Sequence, residues 1–197
     1  MSWVRVCRSF EEEAEADREY WSRVSPDERV AMIHEMRRDW ARRSEELMLQ
    51  PAKDDIEFLA CLVRHNVRAL IVGAHAIAFH AKPRYTRDLD VLVEPSPENA
   101  ERVLKALDEF GFGSLAITRD DLAIESRVVQ LGVEPNRIGL LTRIDGLSFA
   151  DAWQNRVAGT IGGVAVYFIG RDDLIRNKEA SARPQDLADV DLLRRMS

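Results

Sequence analysis

Two aspartates stand one residue apart in the string Thr86, Arg87, Asp88, Leu89, Asp90, Val91, Leu92, Val93. Side chains two apart on a strand share a face, so Asp88 and Asp90 project together while Leu89, Val91 and Val93 point to the opposite, apolar side. Two carboxylates side by side repel unless a cation neutralises them. Hard oxygen donors suit magnesium, which also binds substrate phosphates. An isolated pair of this kind equally describes an acidic strand end at a surface. The upstream residues change the weighting, because an apolar strand ends at Gly73 and Ala74 opens a helix. A glycine there lets the main chain approach a phosphate, and the helix behind it aims free N–H groups and a positive dipole end at the same place. Between the two halves, Lys82, Arg84 and Arg87 supply charge that could balance a triphosphate, although each alone is an ordinary loop cation.

The elements that must position these residues follow from pattern and composition. With 197 residues, 46% of them apolar and 31% charged, the chain can bury one core and carry an appendage. The net charge of −6, spread almost evenly along the chain, does not describe a generic nucleic-acid binder, and the cluster Arg37, Arg38, Arg42, Arg43 is expected to be a solvated face, with RNA binding as its alternative. The longest nearly unbroken apolar stretch, residues 69–79, contains His75 and falls far short of the roughly 20 residues that span a bilayer. With no apolar leader, the expectation is a cytoplasmic protein with no membrane association. Cys7 and Cys61 lack metal or disulfide spacing. Residues 1–50 carry no glycine and read as a helical extension. One amphipathic helix spans 9–24, and a second starts with the capping box Ser25, Pro26, Asp27, Glu28 and carries the apolar stripe Val30, Ile33, Trp40, Leu47. Residues 51–197 alternate helix and strand. Helices are expected at 55–65, 74–79, 96–110, 148–153, 171–182 and 184–195. Strands are expected at 69–72, 89–93, 128–131 and 137–142, with a hairpin at 156–161 and 164–169 around Gly162 and Gly163. The fold class is α/β, with α+β character: a short mixed sheet flanked by helices.

The run from Ile71 to Val93, I-V-G-A-H-A-I-A-F-H-A-K-P-R-Y-T-R-D-L-D-V-L-V, resembles the minimal nucleotidyltransferases of the DNA polymerase beta superfamily. It is most similar to the bacterial group related to abortive-infection and toxin-antitoxin nucleotidyltransferases, and the resemblance covers roughly residues 55–195. It implies a nucleoside triphosphate held with Mg2+ or Mn2+, and transfer of the nucleoside monophosphate to a hydroxyl of a protein or RNA acceptor such as tRNA. By the same resemblance Asp88 and Asp90 are the catalytic, metal-holding pair. Gly73, Ala74, Arg84, Thr86 and Lys178 contact the nucleotide, and the partner is a second copy or an antitoxin-like protein. An equal alternative has Lys178 and Arg183 pairing with Asp186 and Asp189.

Relatives of this kind place a third carboxylate between an isoleucine and a leucine on a neighbouring strand, and here that position is Gly139. Asp145 could substitute only if the chain folds back, since six extended residues cover about 20 Å. Two readings therefore stand: a metal-dependent nucleotidyltransferase weakened by Gly139, or a catalytically silent nucleotide-binding, regulatory or antitoxin-like protein. An interaction protein without nucleotide is a third. The histidines His34, His65, His75 and His80 have no metal spacing and are expected in packing or solvent roles, with a nucleobase contact as the alternative for His80 beside the glycine loop. Trp3, Trp21, Trp40 and Trp153 are expected in helix docking.

Overall fold

The computed structural model describes residues 4–7, 9–25, 27, 28, 31, 52–81, 86, 88–113, 116–133 and 136–195. The elements run β1 (Val4–Cys7), α1 (Phe10–Arg23), α2 (Lys53–Arg64), β2 (Ala69–Ile71), α3 (Gly73–His80), β3 (Leu89–Val93) and α4 (Pro97–Leu107). They continue through α5 (Arg119–Ala123), β4 (Val128–Val133), β5 (Asn136–Leu141), α6 (Phe149–Gln154), β6 (Val157–Ile161), β7 (Val164–Phe168), α7 (Arg171–Ser181) and α8 (Pro184–Arg195). The strands form one seven-stranded mixed sheet in the order β1-β4-β5-β3-β2-β7-β6. Strand β3 lies in its middle, parallel to β5 on one side and antiparallel to β2 on the other. The expected mixed sheet flanked by helices is the observed architecture.

Strand β3 is central because both its faces are apolar beyond the aspartates: Leu89, Val91, Leu92 and Val93 are all fully buried. Such a run is stable only between neighbours on both edges and helices on both faces. Helix α4 follows it, capped by the Ser96 hydroxyl, which accepts from the Asn99 N–H, with Pro97 in the first turn. The fully buried Asn99 accepts from the Arg68 N–H at 2.8 Å and donates to the Arg68 and Glu94 carbonyls at 3.1 Å each. One amide thus ties the start of β2 to the end of β3. The hairpin β6–β7 turns through Gly162 and Gly163 at φ +56° and +85°, the two positive angles that a two-residue turn between twisted strands requires.

The amino-terminal segment departs from the sequence expectation. Val4–Cys7 is a strand that pairs antiparallel with β4 and forms one edge of the sheet, so the extension is not purely helical. Four residues are too short for a helical or alternating period to declare itself, and the partner strand decides the conformation. Helix α1 matches the expectation, with the Ser9 hydroxyl accepting from the Glu12 N–H. The capping box at Ser25 also forms: Glu28 N–H donates to the Ser25 hydroxyl, and Ser25 N–H to the Glu28 carboxylate. The apolar stripe of the second extension helix falls outside the described residues, as do His34 and the cluster Arg37, Arg38, Arg42, Arg43. Helix α5, with its Thr118–Asp121 capping box, was not anticipated.

Candidate functional site

The register of the sheet assembles the carboxylate end of the site. Asp90 pairs with Gly139 across the parallel β3–β5 ladder, and Gly139 pairs with Gln130 on β4, so these three positions share one sheet face. A Cβ at Gly139 would lie 3.1 Å from Asp90 Oδ1, next to the carboxylate. Gly73 stands on the other side of the same carboxylate: a Cβ there would come within 2.1 Å of Asp90 Oδ2. At φ +60° the residue also occupies the left-handed region, so space and backbone angle both require glycine. The glycine turn and Asp90 are therefore in contact through bare main chain, as the sequence spacing suggested.

Asp88 precedes β3 by one residue. Its Oδ2 is 3.5 Å from Arg137 Nη2, and Arg137 lies two residues before Gly139 on β5. The Asp88 main-chain carbonyl accepts from Thr86 Oγ1 at 3.2 Å and lies 3.1 Å from His75 Nδ1. Burial holds the His75 imidazole below its ordinary pKa, so the ring is neutral at neutral pH.

Gly73, Asp88, Asp90, Arg137, Asp145 and Lys178 all line one cavity of about 790 Å³, large enough for a nucleotide-sized ligand. Of the other expected nucleotide contacts, Ala74 follows Gly73 in the first turn of α3 without lining the cavity, and Thr86 acts on the Asp88 main chain. Arg84 falls outside the described residues, as do Lys82 and Arg87.

Residues 55–193 match the family described as nucleotidyltransferase of unknown function (DUF6036). The chain belongs to this nucleotidyltransferase family. Two solved structures are similar in backbone: a protein of Thermotoga maritima described as a nucleotidyltransferase, and an antigenic nucleotidyltransferase-like protein from Paracoccidioides brasiliensis. The first is 12% identical with a TM-score of 0.45, covering 71% of this chain and 87% of its own. The second is 13% identical with a TM-score of 0.43, covering 75% and 78%. No curated protein matches the chain.

In this family member the opposite wall of the cavity comes from α7 and α8. Lys178 Nζ donates to Asp186 Oδ1 at 2.5 Å and lies 3.6 Å from Asp189 Oδ2, and Arg183 Nε lies 3.3 Å from Asp186 Oδ2. Of the two alternatives for Lys178, the ion pair is the one observed, and the residue also lines the cavity. Asp145 reaches the cavity because residues Ile144 to Leu147 form a tight turn laid against α7. Its carboxylate accepts from Ser181 Oγ at 3.0 Å and its carbonyl from Asn177 Nδ2 at 3.1 Å. Among the described residues, however, no three His, Cys, Asp or Glu side chains gather closely enough to hold one ion, so Asp145 does not join Asp88 and Asp90 as a third ligand in this conformation.

Sequence reasoning missed two features of the site. Ser9, the N-cap of α1, and Glu11 and Ala14 within that helix line the cavity, which only the pairing of β1 with β4 could have revealed. Arg137 is placed on the Gly139 face by its i, i+2 spacing, and what the sequence does not show is its approach to the Asp88 carboxylate. His80 Nε2 lies 2.7 Å from the Ile169 carbonyl, a packing role. Trp153 stacks on Phe149 and lies under the Arg156 guanidinium at 4.2 Å. It is thus a docking residue, while the side chains of Trp3, Trp21 and Trp40 fall outside the described ones. Among the described residues no helix is long and apolar enough to cross a membrane.

Proposed function

We propose that this chain binds a nucleoside triphosphate together with magnesium in the cavity between β3 and α7–α8, and transfers its nucleoside monophosphate to a protein or RNA hydroxyl at a low rate. The observation that carries the reading is the contact of Gly73 with Asp90, where a main chain bare of side chain backs directly onto a carboxylate. A phosphate-binding turn needs that bareness, and a cation shared by phosphate and carboxylate explains why the two are adjacent. The donor set suits magnesium: two carboxylates, Asp88 and Asp90, lining one cavity, with the remaining oxygens left to phosphates and water. When bound, that ion supplies positive charge against the triphosphate oxygens.

The chain's own residues account for the rest. First-turn N–H groups of α3 have no acceptor within the helix and stabilise phosphate oxygens. Arg137, beside Asp88, and Lys178, held between Asp186 and Asp189, are cationic groups that line the cavity within reach of phosphate oxygens. The acceptor hydroxyl oxygen attacks the α-phosphorus, the bond to the bridging oxygen breaks, and pyrophosphate leaves. The hydroxyl proton passes to a solvent water, since Gly139 offers no carboxylate to receive it.

That same residue favours a second reading, a nucleotide-binding protein without transfer, because Gly139 faces Asp90 where relatives resembling this chain carry aspartate. One experiment separates the two. The purified protein is incubated with each labelled triphosphate, with and without magnesium, beside Asp90→Asn and Gly139→Asp. Magnesium-dependent binding that Asp90→Asn removes is expected, with slow label transfer. Gly139→Asp should raise transfer by roughly 10² to 10⁴, the usual worth of acid–base assistance. Binding that ignores magnesium and Asp90→Asn would defeat both readings.

A further inference from the structure

The sheet ladder fixes Asp90 but stops short of Asp88. The β3–β5 register begins at Leu89 opposite Ile138, and on the other edge Val72 N–H donates to the Asp90 carbonyl at 3.0 Å. Asp88 lies one residue outside this ladder, where a strand end is free to swing unless side chains hold it. Among the described residues, Arg137 reaches its carboxylate and two side chains hold its main chain. The Thr86 hydroxyl donates to the Asp88 carbonyl at 3.2 Å and accepts from the Asp88 N–H at 3.3 Å. From the other side comes His75, third residue of α3, with Nδ1 at 3.1 Å from the same carbonyl.

A carbonyl oxygen only accepts, so Nδ1 carries the proton and the imidazole is a donor. His75 is not among the residues that line the cavity, and its Nδ1 is engaged with main chain. It stands two residues after Gly73, so its ring spans from the glycine turn to the carboxylate strand. We propose that His75 is a positioning residue that fastens the main chain at Asp88 to the first turn of α3, so that the Asp88 carboxylate and the glycine turn are held in one fixed relation.

This rests on the reading of the cavity as a site for a metal-bound triphosphate. A carboxylate must sit within about half an ångström of its productive place, and partners that orient such a group are worth about 10- to 100-fold in metal affinity. The sequence expectation of a packing role for His75 covers its burial but not the direction of its Nδ1–H bond.

The test uses the full chain with Mn2+ alone and Mn2+ with ATP, natural and carrying His75→Phe, His75→Asn or Thr86→Val. His75→Phe keeps a ring and removes the donor, whereas His75→Asn restores an N–H at shorter reach. Two measurements are made: free Mn2+ by electron paramagnetic resonance, and hydrogen exchange of the Asp88 and Leu89 amides without ligand. For His75→Phe, Mn2+ affinity should fall about tenfold and exchange should speed up about tenfold, at a melting temperature within a few degrees of the natural protein. His75→Asn should recover part of both, and Thr86→Val should move both the same way as His75→Phe. If His75→Phe does not fold, Thr86→Val and His75→Asn decide by the same two measurements.

Unchanged exchange in the variants overturns the brace, whatever the natural protein binds. Faster exchange with unchanged Mn2+ affinity overturns its role in holding the carboxylate. If the natural protein binds neither Mn2+ nor Mn2+ with ATP while exchange still speeds up, the nucleotide reading falls and the mechanical link from His75 to Asp88 stands.

Discussion

The cavity has two acidic walls that look alike in sequence and differ in structure. On the sheet wall, Asp88 keeps 39% of its side chain exposed, with Arg137 3.5 Å away at hydrogen-bonding limit. On the helical wall, Asp186 and Asp189 are each 7% exposed and enclose the ammonium of Lys178, itself only 15% exposed. The helical carboxylates already hold their cation as part of the protein, whereas the sheet carboxylates are displayed to the cavity. Burial and the enclosure of a cation, rather than the spacing of two aspartates, separate the two walls. The two walls should respond differently to the loss of charge.

The largest effect expected is on the helical wall. Lys178→Met removes the shared cation and leaves two buried carboxylates facing each other, a change that typically costs about 3–5 kcal/mol. Urea unfolding should show that loss, and adding Asp186→Asn with Asp189→Asn to Lys178→Met should recover most of it. Asp88→Asn with Asp90→Asn should leave the urea midpoint nearly unchanged while removing magnesium-dependent binding. Equal destabilisation by both sets would erase the distinction between the walls.

How far this was legible in the sequence differs along the same line. The sheet wall is local: Gly73, Asp88 and Asp90 fall within one short run, and strand period two fixes which side chains share a face. Gly139 could be placed on a strand because β5 is itself an apolar strand of known phase, and the register sets it opposite Asp90. The helical wall was only half legible, since Lys178 and Asp186 lie on different helices and their meeting depends on the turn at Ala182, in the left-handed region. The contribution of α1 was not legible at all. Glu11 carries no mark that separates it from Glu12 or Glu13, and its place at the cavity depends on a four-residue edge strand whose partner is β4.

A third carboxylate sharpens the comparison because it is buried and, among the described residues, no cation pairs with it. Asp55, third residue of α2, is 2% exposed, and its pKa is pushed up to about 6 by burial, with smaller contributions from the charges of Asp54 and Asp88. The Ala52 N–H bond works in the opposite direction. Folding thus favours the protonated acid. Between about pH 4 and 6 the native protein holds a proton that the unfolded chain has released, so stability must fall as pH rises through that window and level off above it. Asp55→Asn, which keeps an acceptor for Ala52 and cannot ionise, should flatten this slope and stabilise the protein above pH 6 by at most about 3 kcal/mol. Melting temperatures of the two proteins across pH 4 to 8 test it, and parallel curves would show that Asp55 does not titrate in this range.

The smallest effect expected is at the mouth. Glu11, in the first turn of α1, is exposed and lines the cavity, so its charge opposes an incoming triphosphate from the solvent side. Solvent and salt screen such a group, which limits its influence to about two- to threefold in affinity. Glu11→Gln should therefore tighten magnesium-triphosphate binding by that factor at low salt and by less at 0.5 M salt. Glu15→Gln makes the same change in net charge on the same helix at a residue that does not line the cavity. If it tightens binding as much as Glu11→Gln, only the overall charge of the chain is felt and α1 is not a wall of the site. A difference between the two that fades with added salt would place the first turn of α1 within about a Debye length of the bound phosphates, roughly 10 Å at 0.1 M salt.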